Sequence, residues 1–595
     1  MTAGPLAAGD DGYHHPASED ELVALVRMAY REGRQLRVRG AAHSISHAIY
    51  TDPLDRLENR VLIQAPPPGD GINVMLDRYA GWRVVDEERR LVEADAGLHL
   101  GADPGDPLHG SPLEKSLLWN LHQRGWTLFD TGGVTHQTVS GFTATGSAGG
   151  SVQATANRNL HGFRVVDGRG DVHDVTRDGD ADAFDAMCPN LGLLGVVSKI
   201  TFECTDTFDV SGQEAATTIE GCAVDLFGAG GDGRPSLEEF LRGAQFSRLE
   251  WWPQRGAERV LVWQCQSLPP QPGFRRTPYR RFGDDDPERT QHFISVLFTI
   301  LGNLDDLSRA RQRLEDDFEA LERALEMLAE TEGLGHAGDV LAAFLSRAIA
   351  LGVDAAITML QPIAGLLKET IPQWYPKLID AFVPLDEDRK GVGKGQPATF
   401  RDHAFLGLPM DNAADDTLLP TQFTEIWVPL GRTREVMGLL RDYFAAPEDD
   451  DEAYRRTGTY AWELYAAEPS PFWLNASYSA GDDEWKDGAF RVDPYVFAEN
   501  AGDPRDTLFA PVWELLRERG VPFRLHWGKF HPAVARGDDR WVEFLRAQYP
   551  RWDDFLALRE RRDPNNLFLT DYWRHRFGLW DAPRPTPQPG SSPNG

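Results

Sequence analysis

LFDTGGVTHQTVSGFTATGSAGG, residues Leu128–Gly150, has a single acid and no lysine or arginine. Glycine stands at 132, 133, 141, 146, 149 and 150, interleaved with Thr or Ser at 131, 135, 138, 140, 143, 145 and 147. Glycine accepts backbone angles barred to other residues and lets main-chain N–H groups come close to a ligand. Successive amides form concave anion sites, and short hydroxyls add donors without bulk. The segment therefore suits a pyrophosphate and the edge of a planar ring. Taken by itself it reads equally as a Gly-rich surface loop.

RVRGAAHSIS (Arg37–Ser46) repeats the recipe after a helix and a short strand: small residues around a turn, with one histidine. Together the two segments resemble the FAD-binding domain of the vanillyl-alcohol-oxidase-type flavoproteins, and within them the aldonolactone and alditol oxidase branch. PNLGLLGVVSKITFEC (Pro189–Cys204) is similar to the strand that closes that domain. FRLHWGKFHP (Phe523–Pro532) and RDPNNLFLTDYW (Arg562–Trp573) resemble the C-terminal pair of motifs. Four motifs in the right order, from residue 37 to 573, are far more specific than any one of them.

The resemblance implies an α+β fold: a two-subdomain FAD-binding domain of the vanillyl-alcohol-oxidase type plus a sheet-based substrate domain with a helical insert. The expected boundaries are 1–205 for the FAD domain, 206–525 for the substrate domain with its insert at about 290–380, and 526–580 for a segment returning to the FAD domain. Residues 581–595, rich in Pro, Ser and Gly, are expected to be a disordered tail. FAD is the implied cofactor, attached covalently through His43. Arg39, Gly40, Ala41, Ala42, His43 and Ser44 would form the pyrophosphate turn. Thr131, Gly132, Gly133, Thr138, Ser140, Gly141, Thr145, Gly146, Ser147 and Gly149 would line the flavin, joined by Val197 and Lys529.

Lys529, in HWGK, would stabilise the negative charge that arrives with a hydride at flavin N5. Glu463, in TYAWELYAAEPSPFWLNASY (Thr459–Tyr478), matches the Glu of an ExR strand and could accept a hydroxyl proton, with Glu425 as a second carboxylate. His526 and His531 flank Lys529; either could assist, or simply pack. The chain departs from the pattern at three positions: Tyr465 stands for the Arg of ExR, Ala148 for a His, and Thr570 for an Asn. Tyr offers one neutral hydroxyl rather than a charged fork. With the aromatics Trp462, Phe472, Trp473 and Tyr478 nearby, this predicts a substrate other than a simple polyol or aldonolactone, unless Arg491 or Arg524 supplies the charge.

The net charge of −31, from 61 basic and 92 acidic residues, argues against a nucleic-acid or anionic-membrane partner. Cys188, Cys204, Cys222 and Cys265 contain no CxxC, so no disulfide framework and no metal site is expected. No apolar run is long enough for a membrane span, and the N-terminus does not read as a secretory signal, which predicts a cytoplasmic protein.

Ser18 with Glu21 predicts a capped helix to about Arg31. Strands are expected at Leu36–Arg39, Val61–Gln64, Arg83–Val85, Leu91–Ala94 and Gly195–Phe202, a hairpin over Phe163–Val175, and a helix over Glu114–Arg124. Arg248–Gln266 and Phe423–Leu430 read as strands of the substrate sheet. Leu304 to Leu328 patterns as a long amphipathic helix, with shorter ones at Val340–Leu351 and Ile357–Leu367, either a packed subdomain or a greasy lid. The predicted activity is oxidation of an alcohol carbon of a small molecule, with O2 as acceptor. The alternatives are oxidation of a lipophilic alcohol such as a sterol, and a ligand-binding flavoprotein without turnover.

Overall fold

The computed structural model describes residues 7–52, 66, 69–231, 233–254, 258–280, 383–388, 394–412, 421–445, 459–481, 483–498 and 502–588, with a few isolated positions between 291 and 379. The expected strand at Val61–Gln64, nearly all of the expected helical insert and residues 589–595 lie outside the described residues.

The chain opens with a helix, Glu19–Glu32, capped by the Ser18 hydroxyl on the Glu21 amide. Glu21 Oε2 accepts from Ala17 N at 2.8 Å. Leu22, Leu25, Val26 and Ala29 form its buried stripe against Leu36, Ile72 and Val74, joined by Leu567 and Phe568 from the far end of the sequence. Burial of each such side chain stabilises by about 1.5–3 kcal/mol, so these contacts tie the C-terminal segment to the first helix. Leu36–Arg39 pairs in parallel with Ile72–Met75. Next comes a five-stranded antiparallel sheet ordered Trp82–Asp86, Leu91–Asp95, Val196–Glu203, Leu160–Val166, Val172–Thr176.

A second, nine-stranded antiparallel sheet begins at Asp209. Its order is Ala398–His403, Asp209–Thr218, Arg259–Leu268, Phe246–Trp252, Thr459–Ala467, Ala489–Phe497, Ile426–Pro429, Arg524–Leu525, with Thr421–Phe423 also on Ala489–Phe497. One apolar core holds residues of both sheets, for example Ile200 and Phe202 with Leu249, Leu464 and Val492.

Several expectations need correction. The run Phe423–Leu430 is two strands, Thr421–Phe423 and Ile426–Pro429, because Thr424 turns its hydroxyl to the Phe530 carbonyl and leaves Glu425 at the break. Glu114–Arg124 is broken too: Leu113–Lys115 is a single tight turn, and Ser116 caps a separate helix, Leu117–Gln123. The Gly-rich stretch is not all loop, since Val139–Thr145 is a helix with Thr138 as its N-cap and Gly146 (φ +72°) as its C-cap. Residues 581–588 are held rather than disordered. Asn566 and Arg574 donate to Pro583 O, Asn565 donates to Thr586 O, and Gln588 N donates to Arg31 O. Proline supplies carbonyls without competing N–H groups, so a Pro-rich strand can be fixed by donors from neighbouring helices.

Candidate active site

Where the turn after Leu36–Arg39, the Gly-rich stretch and the open face of the large sheet meet, they enclose a cavity of about 320 Å³, within the range of small-molecule sites. Gly40, Ala41, Ala42, His43 and Ser44 line it, as do Thr131, Gly132, Gly133, Ser140, Gly141, Thr145, Ser147 and Val197. Glu425, Glu463, Tyr465, His526 and Lys529 line the same cavity. Arg39, Thr138, Gly146 and Gly149 do not. Arg39 donates to Tyr13 Oη and Gly40 O, Thr138 caps the helix, and a Cβ on Gly149 would strike the Asp130 carboxylate. The hydroxyls read as ligand donors are largely committed inside the protein, Ser140 to Ala96 O and Thr145 to Gly141 O.

The turn reaches its shape at a cost. Ala42 holds φ +58°, a left-handed angle about 1–2 kcal/mol uphill for a residue with a Cβ. The ring of His43 stacks on that of His136 with centroids 5.4 Å apart. Lys529 Nζ donates to His43 O at 3.0 Å and lies 3.9 Å from the Phe423 ring centroid. This places one ammonium directly beside the turn.

Thr459–Ala467 and Ala489–Phe497 pair with Glu463 opposite Asp493 and Tyr465 opposite Arg491. Side chains at paired positions share a face, so the acid, the phenol and the guanidinium come together. Glu463 Oε2 accepts from Tyr465 Oη at 2.6 Å and from Tyr495 Oη at 2.5 Å, and Oε1 accepts from Arg248 Nη1 at 3.2 Å. Burial and the neighbouring carboxylate push both phenols well above their ordinary range, so each stays a donor.

Arg491 is sandwiched between the Trp427 and Tyr465 rings, 4.6 Å from each centroid. Nη1 donates to Ala148 O at 2.8 Å, and Nη2 reaches Glu425 Oε2 at 3.1 Å and Asp493 Oδ2 at 3.3 Å. Burial acts to raise Glu425, but the neighbouring His526, Arg491 and Lys529 outweigh it and hold this carboxyl below its usual range. Burial raises Asp493 well above that range.

Gly528 N–H donates to His526 Nδ1 at 3.2 Å. That nitrogen therefore carries no proton, and the neutral ring bears its proton on Nε2. Burial pushes His526 down to about 4. At neutral pH its Nε2 is a hydrogen-bond donor. His531 lies outside the cavity: Nε2 donates to His526 O at 3.1 Å and the ring stacks on Trp527. Arg524 is also elsewhere, with Nη1 on Tyr478 O and Nε on Gln548 O. Of the aromatics expected to favour a less polar substrate, Trp462, Phe472 and Trp473 belong to the core, and Tyr478 lies outside the cavity lining.

Carboxylate oxygens of Glu250, Asp411 and Glu463 fall within 4.8 Å of one another, close enough for a metal ion. The cation among them is the Arg248 guanidinium, bonded to Asp411 and lying 3.2 Å from both Glu250 and Glu463.

A family model described as D-arabinono-1,4-lactone oxidase matches residues 506–576. The chain is 22% identical over 572 residues to L-gulono-1,4-lactone dehydrogenase of Mycobacterium tuberculosis, covering 95% of each chain. It is 25% identical over 271 residues to D-arabinono-1,4-lactone oxidase of Eremothecium gossypii, 44% of this chain and 42% of that one. Among solved structures it resembles cholesterol oxidase from B. sterolicum, with a TM-score of 0.60 and 14% identity over 95% of this chain and 93% of that one. A likeness at that identity concerns the fold alone. These likenesses support an FAD-dependent oxidoreductase whose fold resembles that of the vanillyl-alcohol-oxidase-type flavoproteins.

The cavity of this oxidoreductase fits FAD. Its wall at the turn is main chain and small side chains, which allows phosphates and a planar ring close approach. Gln137 Oε1 and both amide atoms of Gln422 are buried in the lining with no partner among the described residues, as expected where a polar ligand completes the bonding. Gly40–Ser44 and Gly132–Gly133 would hold the cofactor, whose contribution is hydride acceptance.

Sequence reasoning missed Arg248, Asp411, Gln422, Asp493 and Tyr495. A signal existed for three of them. In AFRVDPYVF (Ala489–Phe497) positions 491, 493 and 495 alternate as Arg, Asp and Tyr within an apolar strand, so three polar side chains share one face. Arg248 and Glu250 alternate likewise in FSRLEWW (Phe246–Trp252), a strand buried along its whole length. Asp411 comes from an irregular segment with no such pattern.

Proposed function

We propose that this oxidoreductase oxidises a CH–OH carbon of a small polar molecule, with dioxygen as the acceptor that restores the cofactor. The observation that carries the reading is the meeting, in one cavity, of the glycine-lined turn with Glu425, Glu463, Tyr465, Tyr495 and Lys529. Bound at Gly40–Ser44 and Gly132–Gly133, FAD would supply the hydride acceptor. The protein's part is to place that carbon and to receive the hydroxyl proton.

Glu425 is the proton acceptor. It is held ionised, and its Oε2 accepts from Arg491. Glu463 serves differently, because its two oxygens already accept from two phenols and a guanidinium. It fixes the Tyr465 and Tyr495 hydroxyls, whose lone pairs can accept from substrate hydroxyls. His526 donates from Nε2. Lys529 faces the charge that develops at the cofactor. His43 is the attachment point, supported by its place in the wall and by its ring being stacked on that of His136.

Arg491 supplies the charge absent at Tyr465 from the neighbouring strand, and this favours a polar substrate such as an aldonolactone over a lipophilic one. The relatives named for L-gulono-1,4-lactone and D-arabinono-1,4-lactone agree with that class. The test is anaerobic bleaching of the flavin band by L-gulono-1,4-lactone, D-arabinono-1,4-lactone, xylitol and a sterol. Bleaching by a polar member supports the reading. Bleaching by the sterol alone would replace it with the lipophilic one, and no bleaching by any would leave a ligand-binding flavoprotein.

A further inference from the structure

Arg37 is a buried cation with no acid beside it among the described residues. Its side chain belongs to Leu36–Arg39, is 6% exposed and lines the cavity. Nη2 donates to Ala48 O at 2.5 Å and Leu191 O at 2.9 Å, and Nη1 to Gly192 O and Phe568 O, each at 3.3 Å. Carbonyls from three distant segments thus take four of its five protons. Nε has no partner among the described residues. Gly192, at φ +64°, passes so close that an added Cβ would sit 3.2 Å from Nη1.

Carbonyl dipoles satisfy donors but bring no net charge. Burial alone pushes the Arg37 guanidinium down to about 10, with no carboxylate acting to restore it. Arg248 and Arg491, equally buried, are each surrounded by acids. An isolated charge removed from water is costly unless a counter-charge offsets it. The cavity that Arg37 lines is the one where the fold implies FAD, whose two phosphates are anionic.

We propose that Arg37 is the fixed counter-charge for the phosphates of the cofactor. It acts through space from the wall bounded by Leu191, Gly192 and Phe568, because its Nη protons are already committed to carbonyls. The same bonds join the turn after the first strand, the 191–192 bend and the C-terminal segment, so the charge is held on three elements at once. Arg524 provides an internal comparison. Its donors also go to carbonyls, but its guanidinium carbon lies 3.8 Å from the Trp485 ring centroid and it lies away from the cavity. There the Trp485 face and the charge of Asp483 offset part of the burial, whereas Arg37 has the more distant Trp573 ring, 5.8 Å from its guanidinium carbon, and no carboxylate acting on it.

This assignment rests on FAD occupying the cavity, and flavin occupancy tests it. The ratio of visible flavin absorbance to protein absorbance is read in freshly purified wild type and in His43→Ala, where flavin is held without the linkage, alone and combined with Arg37→Lys, Arg37→Gln or Arg524→Gln, together with each melting temperature. Arg37→Lys should keep most of the flavin, and Arg37→Gln should lower occupancy on the order of tenfold, as loss of one partly screened charge pair implies. Arg524→Gln should lower the melting temperature and leave occupancy unchanged. Equal loss in the Lys and Gln variants would overturn the proposal, since donors rather than charge would then matter, and so would full occupancy in a folded Gln variant. If Arg37→Gln does not fold, Arg37→Lys decides: flavin retained supports the assignment, and a folded protein without flavin overturns it. Wild type without flavin would instead remove the FAD reading itself.

Discussion

Glu463 and Glu425 stand on neighbouring parts of one sheet face but are held differently: three donors reach Glu463, and one guanidinium nitrogen reaches Glu425. Glu425→Gln should therefore slow flavin reduction by about 10²–10⁴-fold with little change in substrate affinity. Glu463→Gln should act mainly on stability and binding, because it leaves Arg248 and two phenols facing an amide. Breaking such a buried cluster costs about 3–5 kcal/mol. Anaerobic stopped flow and thermal unfolding of both variants check the division, and a larger rate loss in Glu463→Gln would reverse the roles.

Two buried groups give opposite slopes of stability with pH. His526, pushed down to about 4 in the folded state, is protonated more readily unfolded. The unfolded chain binds the extra proton between about pH 6.5 and 4, so this group lowers stability as pH falls through that window, by up to about 3 kcal/mol. Asp130, raised to about 6 by burial despite hydrogen bonds from the Gly132 and Gly150 amides, holds its proton more tightly when folded. Its contribution is present below about pH 4 and is lost as pH rises to about 6, again by up to about 3 kcal/mol. Melting curves at stepped pH should show the acid-side loss flattened in His526→Gln and the stability near neutral pH raised in Asp130→Asn. Parallel curves for wild type and His526→Gln would contradict the buried neutral imidazole.

Lys529→Met removes the ammonium beside the His43 carbonyl. Flavin reduction should slow by roughly several hundredfold, the scale of one lost preorganised charge, with a much smaller effect on binding. Unchanged single-turnover rates would make Lys529 a structural residue.

His43→Ala should release flavin on denaturation while the purified protein remains folded. Mass spectrometry of the denatured wild-type chain should show the added mass of FAD. A wild-type chain at its unmodified mass would rule out the linkage but not FAD use.

Tyr465→Arg, which restores the residue of the family pattern, should be harmful here. The new guanidinium would lie against Arg491, whose carbon is already 4.6 Å from the Tyr465 ring centroid. Two like charges at that spacing repel by about 1–4 kcal/mol. A drop in melting temperature, relieved by a second change Arg491→Tyr, is the expected result.

The FAD-binding part was largely legible in the sequence because local chemistry specifies it. Small residues at 40–44 and 131–147 shape a wall through their own backbone, and most of those named do line the cavity. The helix inside the Gly-rich stretch was missed because its glycines and hydroxyls disguise a cap at Thr138 and a stop at Gly146. The substrate end was legible only in Glu425, Glu463, Tyr465 and the 526–529 turn. Arg248, Asp411 and Asp493 come from segments far apart in the chain, and what unites them is strand register and charge pairing, which no single segment displays. Arg39 and the hydroxyls of Ser140 and Thr145 fit the expected composition but are used by the fold itself.

The pairing of Tyr465 with Arg491 has a consequence for how such proteins are grouped. Two positions that face each other across an antiparallel ladder are interchangeable as sources of a side chain at one point in space. A charge can cross from one strand to the other during divergence without leaving its place in the pocket, while the linear signature on the first strand vanishes. Comparison of distant members by single-strand signatures will therefore divide proteins whose pockets are alike. Comparison of residue pairs taken across the ladder will bring them together.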